Sequence, residues 1–173
     1  MIEWRIQMKN TQKNHMAWML AVASIVAVTQ VQAETPAAAE KPVYGEYKDW
    51  RVLGVSHRLD KKFVRAIVGN DVAIDAARSD KTMPWPDGAI IAKLSWKEQT
   101  HPGWPQAIVP GEFVGAEAMI KDSKKFSETG GWGFGHWEGK TLVMNDKEKS
   151  ATCFACHTPM KDHDYVYTAP VLQ

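Results

Sequence analysis

Ala89-Ile90-Ile91-Ala92-Lys93-Leu94-Ser95-Trp96-Lys97 reads as a β-strand, and its alternation decides the fold class. Ile90, Ala92, Leu94 and Trp96 fall on one face; Ile91, Lys93, Ser95 and Lys97 fall on the other. Glu112 to Lys121 repeats the pattern. Val114, Ala116, Ala118 and Ile120 are expected to face the core, with Phe113, Gly115, Glu117 and Met119 opposite. Between the two, Gln99 to Gly111 holds three prolines and is expected to form a long loop.

Outward from this pair, Tyr47 to Trp50 suggests a short helical turn. Trp50 to His57 reads as a strand with Trp50, Val52 and Gly54 on one face, and Phe63 to Val68 as another. Asp71 is the expected N-cap of a short helix, Val72 to Arg78. Met83-Pro-Trp-Pro-Asp-Gly88 is turn chemistry. Downstream, Gly130-Gly-Trp-Gly-Phe-Gly-His-Trp137 strips one strand face of side chains, so a flat group or a second sheet is expected against it. Thr141 to Met144 is a short strand, Lys147 to Thr158 a helix, and Tyr165 to Leu172 an expected edge strand. The class is α+β and β-dominated: an antiparallel sheet with a few short helices, the C-terminal one carrying the motif described next.

That motif is Cys153-Phe154-Ala155-Cys156-His157, with the only two cysteines of the chain. Two thiols at this spacing can add across the two vinyl groups of one porphyrin, and the following histidine can ligate the iron, which points to one haem c. Zinc held by Cys153, Cys156, His157 and His163 competes, but the usual gap of about a dozen residues between cysteine and histidine pairs is missing. A disulfide or a thioredoxin-like pair also remains open. Sixteen residues follow His157, and Met160 is too close to reach round the ring. Met83, Met119 and Met144 are upstream alternatives for a sixth ligand, although methionine on patterned segments is commonly core filler. An open or weakly filled distal side suits ligand chemistry better than simple electron relay. His136 is expected to be a hydrogen-bonded core residue and His163 a surface one.

At the other end, Arg5, Lys9 and Lys13 precede the apolar run Met16 to Val31, and Val31-Gln32-Ala33 suits cleavage. Residues 1–33 are expected to be a signal peptide starting at Met1 or Met8, with an uncleaved anchor as the lesser reading. Residues 34–46 follow as a flexible leader, and 47–173 as one domain. Export to the periplasm agrees with haem c. The mature part carries 18 basic and 19 acidic residues, so no basic surplus points to nucleic acid. It keeps six tryptophans, which suit either a large flat cofactor or an aromatic core.

Taken together, the chain resembles the cytochrome P-460 family, which includes the β-sheet cytochromes c′. The resemblance rests on Asp87 to Lys93, Gly111 to Ala118 continuing through Lys121-Asp-Ser123, the aromatic strand Trp132 to Trp137, and Cys153 to Leu172 with its Asp164-Tyr-Val-Tyr-Thr. It implies a homodimer holding a five-coordinate haem and acting on small nitrogen compounds. Hydroxylamine oxidation to nitrous oxide or nitrite marks one branch, with electrons passed to a partner such as another cytochrome c. Nitric oxide binding without turnover marks the other, and a plain electron-transfer cytochrome is a third possibility.

By position, the resemblance makes His157 the iron ligand, Cys153 and Cys156 the thioether anchors, and Lys93 a residue bonded to the porphyrin edge. Arg65 becomes a pocket arginine and Glu117 a conspicuous acid of the second strand, unless the two pair with each other. Hydroxylamine oxidation needs a proton acceptor, and a carboxylate beside an apolar pocket suits that role. Glu148, in the segment leading into the haem motif, is the favoured base and Glu117 the second.

Overall fold

The computed structural model describes residues 46–172. The expected signal peptide, and the leader as far as residue 45, lie outside them. Six strands form one antiparallel meander in chain order: β1 Arg51–Arg58, β2 Phe63–Gly69, β3 Ile90–His101, β4 Trp104–Lys121, β5 Trp132–Glu138 and β6 Thr141–Met144. Two α-helices accompany the sheet, α1 Asp71–Arg78 and α2 Lys147–His157, with 3-10 turns at Glu46–Lys48, Ser127–Thr129 and Thr158–His163. The β-dominated class read from the alternation is therefore the one observed.

Cross-strand register determines what shares a face. Ile91, Met119 and Phe134 lie opposite one another in one row across β3, β4 and β5; Ile67, Lys93, Glu117 and His136 form the next row of the same face. Leu53, Ile74, Trp132 and Val166 pack with the apolar members of this side. On the reverse face Val68, Ala92 and Ala116 are buried with Tyr47, and Trp50, Leu94 and Trp137 cover them. Tyr47 and Trp137 meet edge-to-face at 4.7 Å. Both faces are thus covered, and the one that looked polar in β3 and β4 has its own apolar half.

Several expectations need correction. The cap of α1 is Asn70, not Asp71. Asn70 Oδ1 accepts from the Ala73 N–H at 3.1 Å and from the Ile90 N–H at 3.0 Å, while its amide donates to the Gly88 carbonyl at 2.8 Å. One side chain therefore closes the helix end and anchors the start of β3. Asp71 is the first helical residue, and its carboxylate pairs with Arg51 at 3.0 Å. In β1 a bulge between Val52 and Gly54 breaks the expected alternation. Leu53 and Gly54 both turn inward and Val52 is left exposed.

The supposed loop Gln99 to Gly111 is part of a β-hairpin. β3 runs on to His101 and β4 begins at Trp104, with Glu98 opposite Pro110 and Gln99 opposite Val109. The prolines do not stop it because the arm has no flanking strand. β2 reaches only to Lys97 of β3, and β5 reaches only to Glu117 of β4. A residue without an N–H costs little where no outer ladder needs one, and Pro102 sits in the turn itself. Trp104, Ile108, Phe113 and Val114 are exposed along this arm.

The glycine face of β5 is not open to a flat group. A Cβ on Gly133 would lie 2.3 Å from the Phe126 ring, and one on Gly135 would lie 2.8 Å from the Val143 carbonyl oxygen. Nor does Tyr165 to Leu172 form a strand. Asp164 and Tyr165 both have left-handed backbones (φ +48° and +65°), which break any extended run. The tail instead crosses β1, Val171 N–H donating to the Leu53 carbonyl at 2.8 Å.

Candidate functional site

A cavity of about 750 Å³ lies between the Lys93/Glu117 face of the sheet, α2 and the tail. Helical spacing brings α2 to it: Lys149, Cys153 and Cys156, at i, i+4 and i+7, share the face that lines the space, and His157 follows. Asp146 caps this helix by accepting from the Lys149 N–H at 2.8 Å. The two cysteines form no disulfide; Cys153 is partly buried and Cys156 exposed. Burial pushes the Cys153 thiol upward from its ordinary pKa, and the Asn145 amide approaches its sulfur at 3.6 Å.

His157 is the most constrained group of the site. Its ring packs against Phe134 at 5.5 Å and edge-on to Tyr167 at 5.4 Å. Nδ1 is 2.7 Å from the Tyr165 carbonyl oxygen. A carbonyl only accepts, so Nδ1 carries the hydrogen and Nε2 keeps the lone pair. Burial lowers the imidazole pKa, the bond to the Tyr165 carbonyl opposing it, which favours the neutral, ligating form.

The sheet gives the cavity two characters. Ile91, Met119 and Phe134 make an apolar strip, and one row along stand Lys93, Glu117 and His136. Lys93 ion-pairs with Glu117, directly opposite it in the register. Arg65, a further row along, also lines the space and donates from Nε to Ser56 Oγ at 3.0 Å; burial lowers its pKa from the ordinary value. The alternative pairing of Arg65 with Glu117 is thus replaced: the acid has a lysine directly across from it, and the arginine faces a serine. His136 Nδ1 is 3.0 Å from Asn145 Oδ1 and Nε2 is 3.2 Å from Glu138, so it is hydrogen-bonded as expected, but it lines the cavity instead of lying in the core.

Of the seven residues singled out in the sequence, six line this cavity: Arg65, Lys93, Glu117, Cys153, Cys156 and His157. Glu148 does not. It is exposed on the first turn of α2, rotated one residue away from the lining face, where a carboxylate favours the helix N-terminus. Among the methionines, Met119 is buried in the apolar strip, while Met83 and Met144 are exposed and line no part of the cavity. Among the described residues no group of three or more His, Cys, Asp or Glu side chains is arranged to hold a metal ion. His163 is exposed, as expected, and joins no such group. Asn145 and Lys149 are lining residues that the sequence did not reveal, since a polar residue beside a helix start looks like capping chemistry alone.

A family model described as Cytochrome P460 matches residues 45–168. The chain belongs to the cytochrome P460 family. No curated protein matches it. Membership of the cytochrome P460 family implies a haem cofactor, and the residues present fit one. The cavity is of cofactor size, has an apolar strip for a flat ring, and offers an imidazole whose tautomer leaves Nε2 free. Cys153, Cys156 and His157 are the groups that would hold the porphyrin. A bound haem would supply an iron that takes small nitrogen ligands and exchanges electrons one at a time.

Proposed function

We propose that the protein is a periplasmic mono-haem c-type cytochrome that oxidises hydroxylamine to nitrous oxide or nitrite. The observation that carries this reading is Glu117, a carboxylate on the lining of the same cavity as Cys153, Cys156 and His157. Two hydroxylamines give nitrous oxide, water, four protons and four electrons. One hydroxylamine and one water give nitrous acid, again with four protons and four electrons. Each route needs a proton acceptor in the cavity and a one-electron acceptor outside it, such as another cytochrome c. Glu117 takes the first role, placed by the β3–β4 register directly across from Lys93. Arg65 and His136 add polar groups that hold a small, hydrogen-bonding substrate.

Thioether attachment through Cys153 and Cys156 and export by residues 1–33 belong to the same reading. The exposed apolar side chains of the β3–β4 arm support self-association into a homodimer.

The Lys93–Glu117 ion pair also favours a second reading. A carboxylate already occupied by a cross-strand lysine has a structural role of its own, which suits a cytochrome that binds nitric oxide without turnover. Turnover of hydroxylamine with an artificial one-electron acceptor, with nitrous oxide and nitrite measured, separates the two. Product formation supports oxidation. Tight nitric oxide binding with no consumption of hydroxylamine replaces it with the binding reading.

A further inference from the structure

We propose that the buried ion pair Lys121–Asp164 is the positioning device for His157, setting how strongly this histidine would donate electron density to the haem iron. The inference rests on His157 being the iron ligand, as proposed above. Lys121 Nζ lies 2.8 Å from both carboxylate oxygens of Asp164, and the two side chains are only 5% and 9% exposed. Nothing in the cavity needs this pair, since neither residue lines it. A buried ion pair is a weak source of stability, because the cost of desolvating both charges consumes most of the attraction. What this pair fixes is the turn at Asp164 and Tyr165.

Asp164 is bonded at every polar position that faces the protein. Its carboxylate also accepts from the Trp85 N–H at 2.8 Å, and its carbonyl accepts from the Trp132 indole N–H at 2.8 Å. Lys121 further donates to the Gly130 carbonyl at 3.2 Å and lies over the Trp132 ring. Gly130 in turn has no room for a side chain, because a Cβ there would meet the Tyr165 ring at 2.2 Å. These contacts hold Asp164 and Tyr165 in two successive left-handed conformations, which residues with side chains adopt only under constraint. The product of that turn is the direction of one carbonyl, that of Tyr165, at 2.7 Å from His157 Nδ1. A hydrogen bond from the second ring nitrogen of a ligating histidine fixes its tautomer and raises its basicity. Lys121 and Asp164 therefore act on the ligand through the backbone, without touching it.

The test uses the haem-loaded full-length protein, its ferrous iron–histidine stretch read by resonance Raman and its reduction potential. Asp164→Asn keeps an acceptor for Trp85 but loses the pairing with Lys121. The stretch is expected to fall and the potential to rise, because a less basic histidine stabilises ferric iron less. Trp132→Phe, which removes the indole N–H to the same residue, is expected to shift both in the same direction by less. It carries the test alone if Asp164→Asn does not accumulate. Ile74→Ala, a core truncation in α1 away from the turn, is expected to lower thermal stability with both readouts unchanged. Parent values in Asp164→Asn or, in its absence, in Trp132→Phe overturn the inference, as do equal shifts in Ile74→Ala. A His157→Ala variant that binds haem and keeps the parent iron–histidine stretch overturns the ligand assignment beneath it.

Discussion

Lys93 and Glu117 face each other across the β3–β4 register and ion-pair at the lining of the cavity, within the polar row that runs alongside Ile91, Met119 and Phe134. An acid–base pair at this place makes both residues accessible to direct test. Replacing Glu117 by Gln keeps the shape and removes the proton acceptor. Hydroxylamine turnover is expected to fall by ~10²-fold or more, with haem content and nitric oxide affinity retained. Steady-state oxidation measured beside nitric oxide titration checks this, and unchanged turnover would remove Glu117 from the mechanism.

Glu148→Ala is expected to leave the same turnover within about twofold, since surface substitutions away from a site rarely matter more than a few tenths of a kcal/mol. A large loss would return the proton-accepting role to the first turn of α2.

A bond between Lys93 and the porphyrin edge makes a prediction independent of activity. After proteolysis of the loaded protein, the peptide carrying Lys93 is expected to be recovered joined through haem to the peptide carrying Cys153 to His157. Lys93→Arg keeps a cation opposite Glu117 and should release the first peptide. If the two peptides separate cleanly in the parent protein, Lys93 serves only as the partner of Glu117.

Gly133→Ala places a methyl group against the Phe126 ring, where an ideal Cβ comes within 2.3 Å. A loss of about 1–3 kcal/mol in stability is expected from this overpacking. Phe126→Leu in the same chain should recover part of it, and urea midpoints of the single and double variants measure the coupling. A neutral Gly133→Ala would mean that the ring can move aside.

Asp87 accepts from the Ser123 hydroxyl at 2.7 Å and from the Ser123 N–H at 2.8 Å, and these bonds hold its carboxyl below the ordinary value of 3.8. A carboxylate with a depressed folded-state pKa contributes stability above its unfolded pKa and loses it as pH falls through the folded one. Asp87→Asn is therefore expected to melt earlier than the parent at neutral pH, with the difference shrinking below the carboxylate range. A difference that is constant with pH would show that the charge plays no part.

The alternation of Ala89 to Lys97 and of Glu112 to Lys121 made the central strands legible, and spacing alone picked out Cys153, Cys156 and His157. What escaped did so for physical reasons. Prolines argue against a strand only if a neighbour needs the missing N–H, and one sequence does not reveal that the β3–β4 arm has none. Asn70 and Asp71 are both good caps, and only the position of the Ile90 N–H decides between them. Glu148 and Glu117 differ by rotation about a helix in one case and by strand register in the other. A one-residue turn of α2 was enough to remove the favoured acid from the cavity. The glycines of β5 do strip one face, but Phe126 fills the space at Gly133 and the neighbouring strand β6 that at Gly135.

Every strand pairs with its neighbour in the chain, whereas the tail reaches back from Val171 to Leu53 near the opposite end of the domain. The sheet is thus assembled from short loop closures, and the segment that bears the haem motif is attached by a long one. Contacts of low sequence separation form early and distant ones late. The cavity floor is therefore expected to form before its ceiling, the segment from Lys147 onward docking last. Amide exchange in the haem-free chain should accordingly be slow in β2 to β5 and fast from Lys147 onward.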